Sequence, residues 1–165
     1  MTKDDLIIQT LHNSTLTEEL RDAEIESLAR IIEIKDYKAG DILVQPGDAR
    51  LKNALIILAS GEVEAVATIG KEQVTLHLLE PGDLAGIITF VGGNVAQISA
   101  TVTAKSDSKV LILDRSKFET LLNSQPAIVY YVMRGVVRHT HGIVRRMNMQ
   151  SVEMSNYIHQ THGRY

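Results

Sequence analysis

The chain has 165 residues, 44% of them hydrophobic and 22% charged, with a formal net charge of −3 and no cysteine. That balance is ordinary for a folded globular protein and excludes wholesale disorder, disulfides, thiolate metal centres and cysteine nucleophiles. A chain this near neutrality has no overall attraction for nucleic acid, and its longest uncharged run, Leu84 to Ala104, is too rich in Gly, Ser and Thr to make a good membrane-spanning helix.

The N-terminus lacks a basic stretch followed by an apolar one, so no secretory signal is read and a reducing cytoplasm is the expected compartment. Short helices come first. Ser14 or Thr15 with Glu18 downstream reads as a capping box, and Leu20, Ile25, Leu28 and Ile31 recur at helical spacing. From Lys35 to Leu113 the pattern becomes short β-branched runs separated by turn residues, with glycines at 40, 47, 61, 70 and 82 marking the turns. Strands at this spacing predict a mainly β fold, an antiparallel sandwich or barrel of seven or eight strands with flanking helices.

At Asp114 the pattern changes again. "DRSKFETLLNSQP" predicts a short helix capped by Asp114 or Ser116, and Pro126 suits the first position of another. No proline follows up to about Thr161, so one helix of roughly 35 residues, about 50 Å long, is expected there. The domain division that follows is 1–125 for the β-domain with its N-terminal helices and 126–165 for the long helix. A heptad reading places Met133, Thr140, Met147, Met154 and Thr161 at one seam position and Val129, Val136, Ile143, Gln150 and Tyr157 at the other. Of these, Val129, Val136, Thr140, Ile143, Met147, Gln150 and Met154 are the expected dimer seam, with a second copy of the chain as partner. Gly135 and Gly142 each cost about 1 kcal/mol relative to Ala in a helix, which is best explained by close approach of another element.

The stretch "YKAGDILVQPGDARLKNALIILASGEVEAV" resembles the opening of the cyclic nucleotide-binding domain found in bacterial cyclic-AMP receptor proteins and cyclic-nucleotide-dependent kinases. Gly40, Asp41, Ile42, Gly47, Asp48, Ile56, Leu58, Gly61 and Val63 carry the likeness, and "VTLHLLEPGDLAG" and "ATVTAKSDSKVLILDRSKFETLLNSQP" continue it. The resemblance implies a jelly-roll-like β-roll of about eight strands, flanked by helices, the last a long dimer helix. It also implies a phosphate-binding cassette in which a Glu accepts from the ribose hydroxyl and an Arg pairs with the cyclic phosphate.

In "GDLAGIITFVGGNVAQISATV" the cassette positions become Gly86, Ile87, Ile88 and Thr89, then Gln97, Ile98, Ser99 and Ala100. Ile87 stands where the resemblance calls for the Glu, and Ile98 where it calls for the Arg. Asp83 belongs to the preceding "PGD" turn, and bringing Gln97 into the Arg position would need a one-residue slip that swaps strand faces. The reading adopted is a regulatory or sensor module of this fold that has lost cyclic nucleotide binding and acts through protein partners. Two alternatives stand beside it: a sensor of a small apolar ligand in the same pocket, and cyclic nucleotide binding through a substitute cation from Arg50, Lys52 or the basic C-terminal helix.

No enzyme is expected, because no catalytic constellation stands in a motif context, and no cofactor is called for. His139 and His141 lie on different helix faces, His159 and His162 sit near a terminus, and His77 would be a metal ligand only if a haem entered the roll; no metal site is assigned. DNA binding is not expected either: no helix-turn-helix follows the long helix, and Arg134, Arg138, Arg145 and Arg146 read as a solvated face.

Overall fold

The computed structural model describes residues 1–48, 50–69, 71–92 and 99–162. The predicted turn at Gly70 and the cassette positions Gln97 and Ile98 lie outside the described residues, as do the side chains of Ser99, Met147, Gln150 and Met154.

Among the described residues, eight antiparallel strands form two four-stranded sheets. One has the order β1 (Glu33–Tyr37), β8 (Ser108–Asp114), β3 (Ala54–Ser60), β6 (Leu84–Ala85); the other runs β2 (Ile42–Val44), β7 (Ser99–Ala104), β4 (Val63–Ile69), β5 (Glu72–Leu78). The apolar runs "ALIILA" and "VLIL" are continuous because their sheet is covered on both faces. Ile56, Leu58, Val110 and Ile112 face the interior of the roll with Leu43, Val63, Leu78 and Val102, whereas Leu55, Ile57, Leu111 and Leu113 face a second core under the helices. Gly40, Gly47, Gly61 and Gly82 all adopt positive φ, as turn glycines do.

The N-terminal segment differs from the sequence expectation. Helix α1 (Lys3–His12) is closed by a capping box between Thr2 and Asp5. Ser14 caps only a 3-10 turn, Thr15–Thr17, accepting from the Leu16 amide, and α2 (Asp22–Ala29) starts later, with Glu24 accepting from the Arg21 amide. The expected helix start at Ser14 or Thr15 is lost because Leu16 is fully buried and the Thr17 hydroxyl donates to Leu11 O, which turns the chain tightly there. Ile25 and Leu28 are buried as their spacing predicts.

Beyond β8, Asp114 accepts from the Ser116 and Lys117 amides and caps α4 (Arg115–Glu119). After α5 (Leu121–Ser124), α6 runs from Pro126 to His162. Ile128, Val132 and Val136 are buried in the helical core, with Val129 and Met133 packed beside them. In the first part of the predicted seam, Val136 is buried in this chain's own core and Val129 is half-buried beside it. Gly135 accounts for itself: a Cβ there would lie 2.6 Å from Leu16 O, so the helix rests directly on the 3-10 turn. Gly142, by contrast, has nothing within 4 Å. Thr140 is exposed and donates to Val136 O, and Ile143 is half-buried.

Candidate functional site

The short strand β6 pairs with β3 through Ile56 with Ala85 and Ile57 with Leu84, which carries the chain past the sheet edge and into Gly86. Gly86 sits at φ 83°, and a Cβ there would come within 2.7 Å of Ala54 O, so the position requires glycine on conformational and steric grounds alike. It caps helix α3 (Ile87–Val91), where Phe90 N donates to Gly86 O at 3.0 Å and the Thr89 hydroxyl donates to the same oxygen at 3.1 Å.

The orientation of α3 decides what this cassette presents. Phe90 is 2% exposed, with its ring centroid 5.5 Å from that of Phe118 on α4, and Ile87 is half-buried against the same helical core. Ile88 and Val91 face solvent at 48% and 52% exposure. Arg115, which sequence reasoning did not single out, lies against the C-terminal end of α3: its Nη1 is 3.5 Å from Thr89 O, and a Cβ on Gly92 would fall 2.2 Å from that nitrogen. The only hint in the sequence is that Arg115 follows the cap Asp114 and Gly92 follows the cassette. Gly86, Ile87, Ile88 and Thr89 thus form one turn, while Ala100 lies on β7 opposite Ala67 and the backbone of Ser99 opposite Thr68.

No acid or base stands on α3; Arg115 lies against its C-terminal end, while Asp83 and Arg50 are engaged elsewhere. The Asp83 carboxylate accepts from the Leu79 and Glu80 amides, both at 3.0 Å, and closes its own turn. Arg50 holds Asp48 at 2.7 Å, and that guanidinium lowers the carboxyl pKa to about 2. Lys52 is exposed. Arg134 pairs with Glu19 at 2.8 Å, and Arg138 bridges Glu18 at 3.1 Å and Glu19 at 2.6 Å, so half of the arginine cluster fastens α6 to the N-terminal turn. Hydrogen bonds from Arg134 and then Arg138 hold Glu19 below the usual carboxylate range. Arg145 and Arg146 remain exposed.

His77 pairs across the hairpin with Glu64 (3.8 Å) on the outer face of the sheet, so the sequence suggestion that it could serve a group inside the roll does not hold. Burial pushes the His139 pKa down. His159 Nδ1 lies 2.8 Å from Ser155 O, and among the described residues no group of three or more His, Cys, Asp or Glu is placed to hold a metal. Likewise, among the described residues no helix is long and apolar enough to cross a membrane.

The family model for the cyclic nucleotide-binding domain matches residues 34–125, more than half of the chain. The chain belongs to the cyclic nucleotide-binding domain family. Among curated proteins it is 23% identical over 154 residues to the neuropathy target esterase sws of Drosophila virilis, a match covering 87% of this chain and 10% of that protein. It is 29% identical over 119 residues to the cAMP-dependent protein kinase regulatory subunit of Colletotrichum orbiculare, covering 72% of this chain and 29% of that one. The chain thus spans about a tenth of the length of the esterase relatives it matches. A cyclic nucleotide-binding domain from Methylobacillus flagellatus superposes with a TM-score of 0.72 at 17% identity, covering 92% of this chain and 83% of the other, which establishes the fold.

Proposed function

We propose that this cyclic nucleotide-binding domain is a non-enzymatic regulatory module that has lost cyclic nucleotide binding and acts through protein contacts. The observation that carries the reading is α3: where the family places a carboxylate for the ribose, Ile87 packs into the helical core, and the helix carries no ionisable group. A desolvated phosphate without its charged partner loses about 2 to 5 kcal/mol, enough to turn a micromolar ligand into a millimolar one. Among the candidate substitute cations, Arg50, Arg134 and Arg138 are each engaged with a carboxylate, whereas Lys52, Arg145 and Arg146 are exposed. Calorimetric titration of the full chain with cyclic AMP and cyclic GMP should give no saturable heat below millimolar concentration. A saturable micromolar signal for either refutes this reading and supports binding through atypical contacts.

A second reading has its own observation. On the inward face of the hairpin, Ala65, Ala67, Leu76 and Val74 continue the line of Val63 and Leu78, with Ala100 and Val102 alongside, and Val74 and Leu76 remain 48% and 37% exposed. That uncharged lining suits a small apolar ligand. Native mass spectrometry of the chain purified from its own host tests it: a stoichiometric uncharged adduct supports this reading, and a bare mass counts against it.

A further inference from the structure

A sheet edge offers backbone donors and acceptors to any extended chain, and folded proteins blunt such edges. Among the described residues, three of the four edge strands are blunted: β6 has two residues, β2 has three and a register shift, and β1 carries Glu33 and Asp36 tied to Lys117 and Lys109. Strand β5 is the exception. It pairs with β4 at seven consecutive positions without a bulge, contains no Lys or Pro, and has nothing paired to its other side among the described residues.

The register fixes which of its backbone groups are free. Lys105 N donates to Glu62 O, so the even-numbered residues of β4 bond to β7 and the odd-numbered ones, Val63, Ala65, Ala67 and Ile69, bond to β5. Their partners are Leu78, Leu76, Val74 and Glu72, which leaves the amides and carbonyls of Gln73, Thr75 and His77 pointing off the edge. Between them, on the inward face, lie the uncovered side chains of Val74 and Leu76. A small ligand would cover those two side chains and leave the backbone edge as it is, whereas an added strand takes up both. Charge narrows the occupant further, because Gly61 to Asp83 holds five acids against one base, Lys71. Glu72 opens β5 and Glu80 follows its end; both are exposed, and neither has an ion-pair partner among the described residues.

We propose that a protein partner adds an extended strand to the free edge of β5, with apolar residues at alternate positions beside Val74 and Leu76 and a basic residue at each end, facing Glu72 and Glu80. The edge thereby supplies the protein contacts proposed above, and the choice of occupant rests on that reading. Cyclic nucleotide titration decides whether the cassette has lost its ligand and is blind to this edge, so the two readings fail separately.

The probe is a capped, fluorescently labelled seven-residue peptide in which Thr and Val alternate between two terminal arginines, titrated into the full chain. Anisotropy should show saturable binding, weakened about tenfold when the terminal arginines are replaced by glutamates and about tenfold by Val74→Lys in the chain. Hydrogen exchange at the amides of Gln73, Thr75 and His77 should slow when the peptide is present, and N-methylation of the peptide amides that face β5 should abolish binding. Unchanged circular dichroism of Val74→Lys shows that this exposed substitution leaves the fold intact, and the methylated peptide tests the same contact without altering the chain. No binding, equal binding of the acid-ended peptide, or protection confined to residues outside β5 would each overturn the proposal. Slowed exchange at the same three amides that grows with chain concentration in the absence of peptide would give the edge to a second copy and overturn it too.

Discussion

Gly135 and Gly142 stand one heptad apart on the same helix, yet replacing them by alanine should move stability in opposite directions. Both substitutions gain helix propensity, about 1 kcal/mol each. At 135 the new methyl would fall 2.6, 2.8 and 2.9 Å from the O, Cα and carbonyl carbon of Leu16, which are backbone atoms of a buried turn. Relief requires α6 to lift from the turn, loosening Val132 and Val136, so the penalty belongs at the upper end of overpacking, about 3 kcal/mol, and the net loss is about 2 kcal/mol. At 142 nothing lies within 4 Å, so Gly142→Ala should keep its gain of about 1 kcal/mol. The two variants should therefore differ by about 3 kcal/mol, or about 6 to 12 °C in melting midpoint for a chain of this size. Urea and thermal unfolding followed by circular dichroism, at one low protein concentration, measure this. If Gly135→Ala melts at or above the unmodified chain, or both variants shift the same way, the direct seating of α6 on Leu16 is wrong.

Other perturbations bear on different contacts. Phe90→Ala should cost about 3 to 5 kcal/mol, because it empties a 2%-exposed site against Phe118; denaturant unfolding gives the value, and a loss below about 1 kcal/mol would show that α3 is not anchored there. His139 has its pKa depressed below the ordinary 6.5 by burial, so the unfolded chain takes up this proton first: stability should be level above about pH 6.5 and fall as pH drops below it. His139→Gln should flatten that segment of the pH–stability curve, and an unaltered slope would count against it. Glu19, held below its ordinary 4.5 by Arg134 and Arg138, contributes above that value and loses its contribution as pH falls through the depressed one. Glu19→Gln should thus lower the unfolding midpoint at neutral pH and low salt, with the difference shrinking in acid and at high ionic strength; a deficit that persists in acid would mean packing, not charge, is at work.

The β-roll was legible because its strands announce themselves twice. β3 and β8 are apolar at every position since both faces are covered, and positive-φ glycines punctuate the turns between strands. Asp114 and Pro126 marked helix starts through local chemistry alone. What the apolar heptad on α6 packs against was not legible in the same way. A heptad of apolar residues says that a face is buried but not against what, and Val136 went to the chain's own core because Gly135 lets the helix settle on Leu16, a contact 119 residues away in sequence. Thr15 with Glu18 has capping-box spacing, yet the burial of Leu16 overrides it. At the cassette, the sequence located Gly86 to Thr89 and the absence of charge. It did not show that Ile87 turns toward the helical core, because the roll of α3 about its axis is fixed by Phe118 and Arg115, which lie beyond β7 and β8.

Those same contacts join the cassette to the long helix. On one side, Phe90 meets Phe118 and Arg115 covers Gly92, joining α3 to the α4–α5 segment that leads into α6. On the other, the Pro81–Asp83 turn that feeds β6 and α3 is held by the N-terminal turn: Ser14 Oγ donates to Gly82 O at 3.4 Å, and a Cβ on Gly82 would lie 2.9 Å from Asn13 O. The N-terminal turn in turn seats Gly135 and binds Arg134 and Arg138. A displacement of α3 therefore pulls on α6 at both ends of its docked portion, through packing and backbone contacts that need no phosphate. Anything that grips the free half of α6 would bias the same linkage from its opposite end, since a coupling between two sites acts equally in both directions.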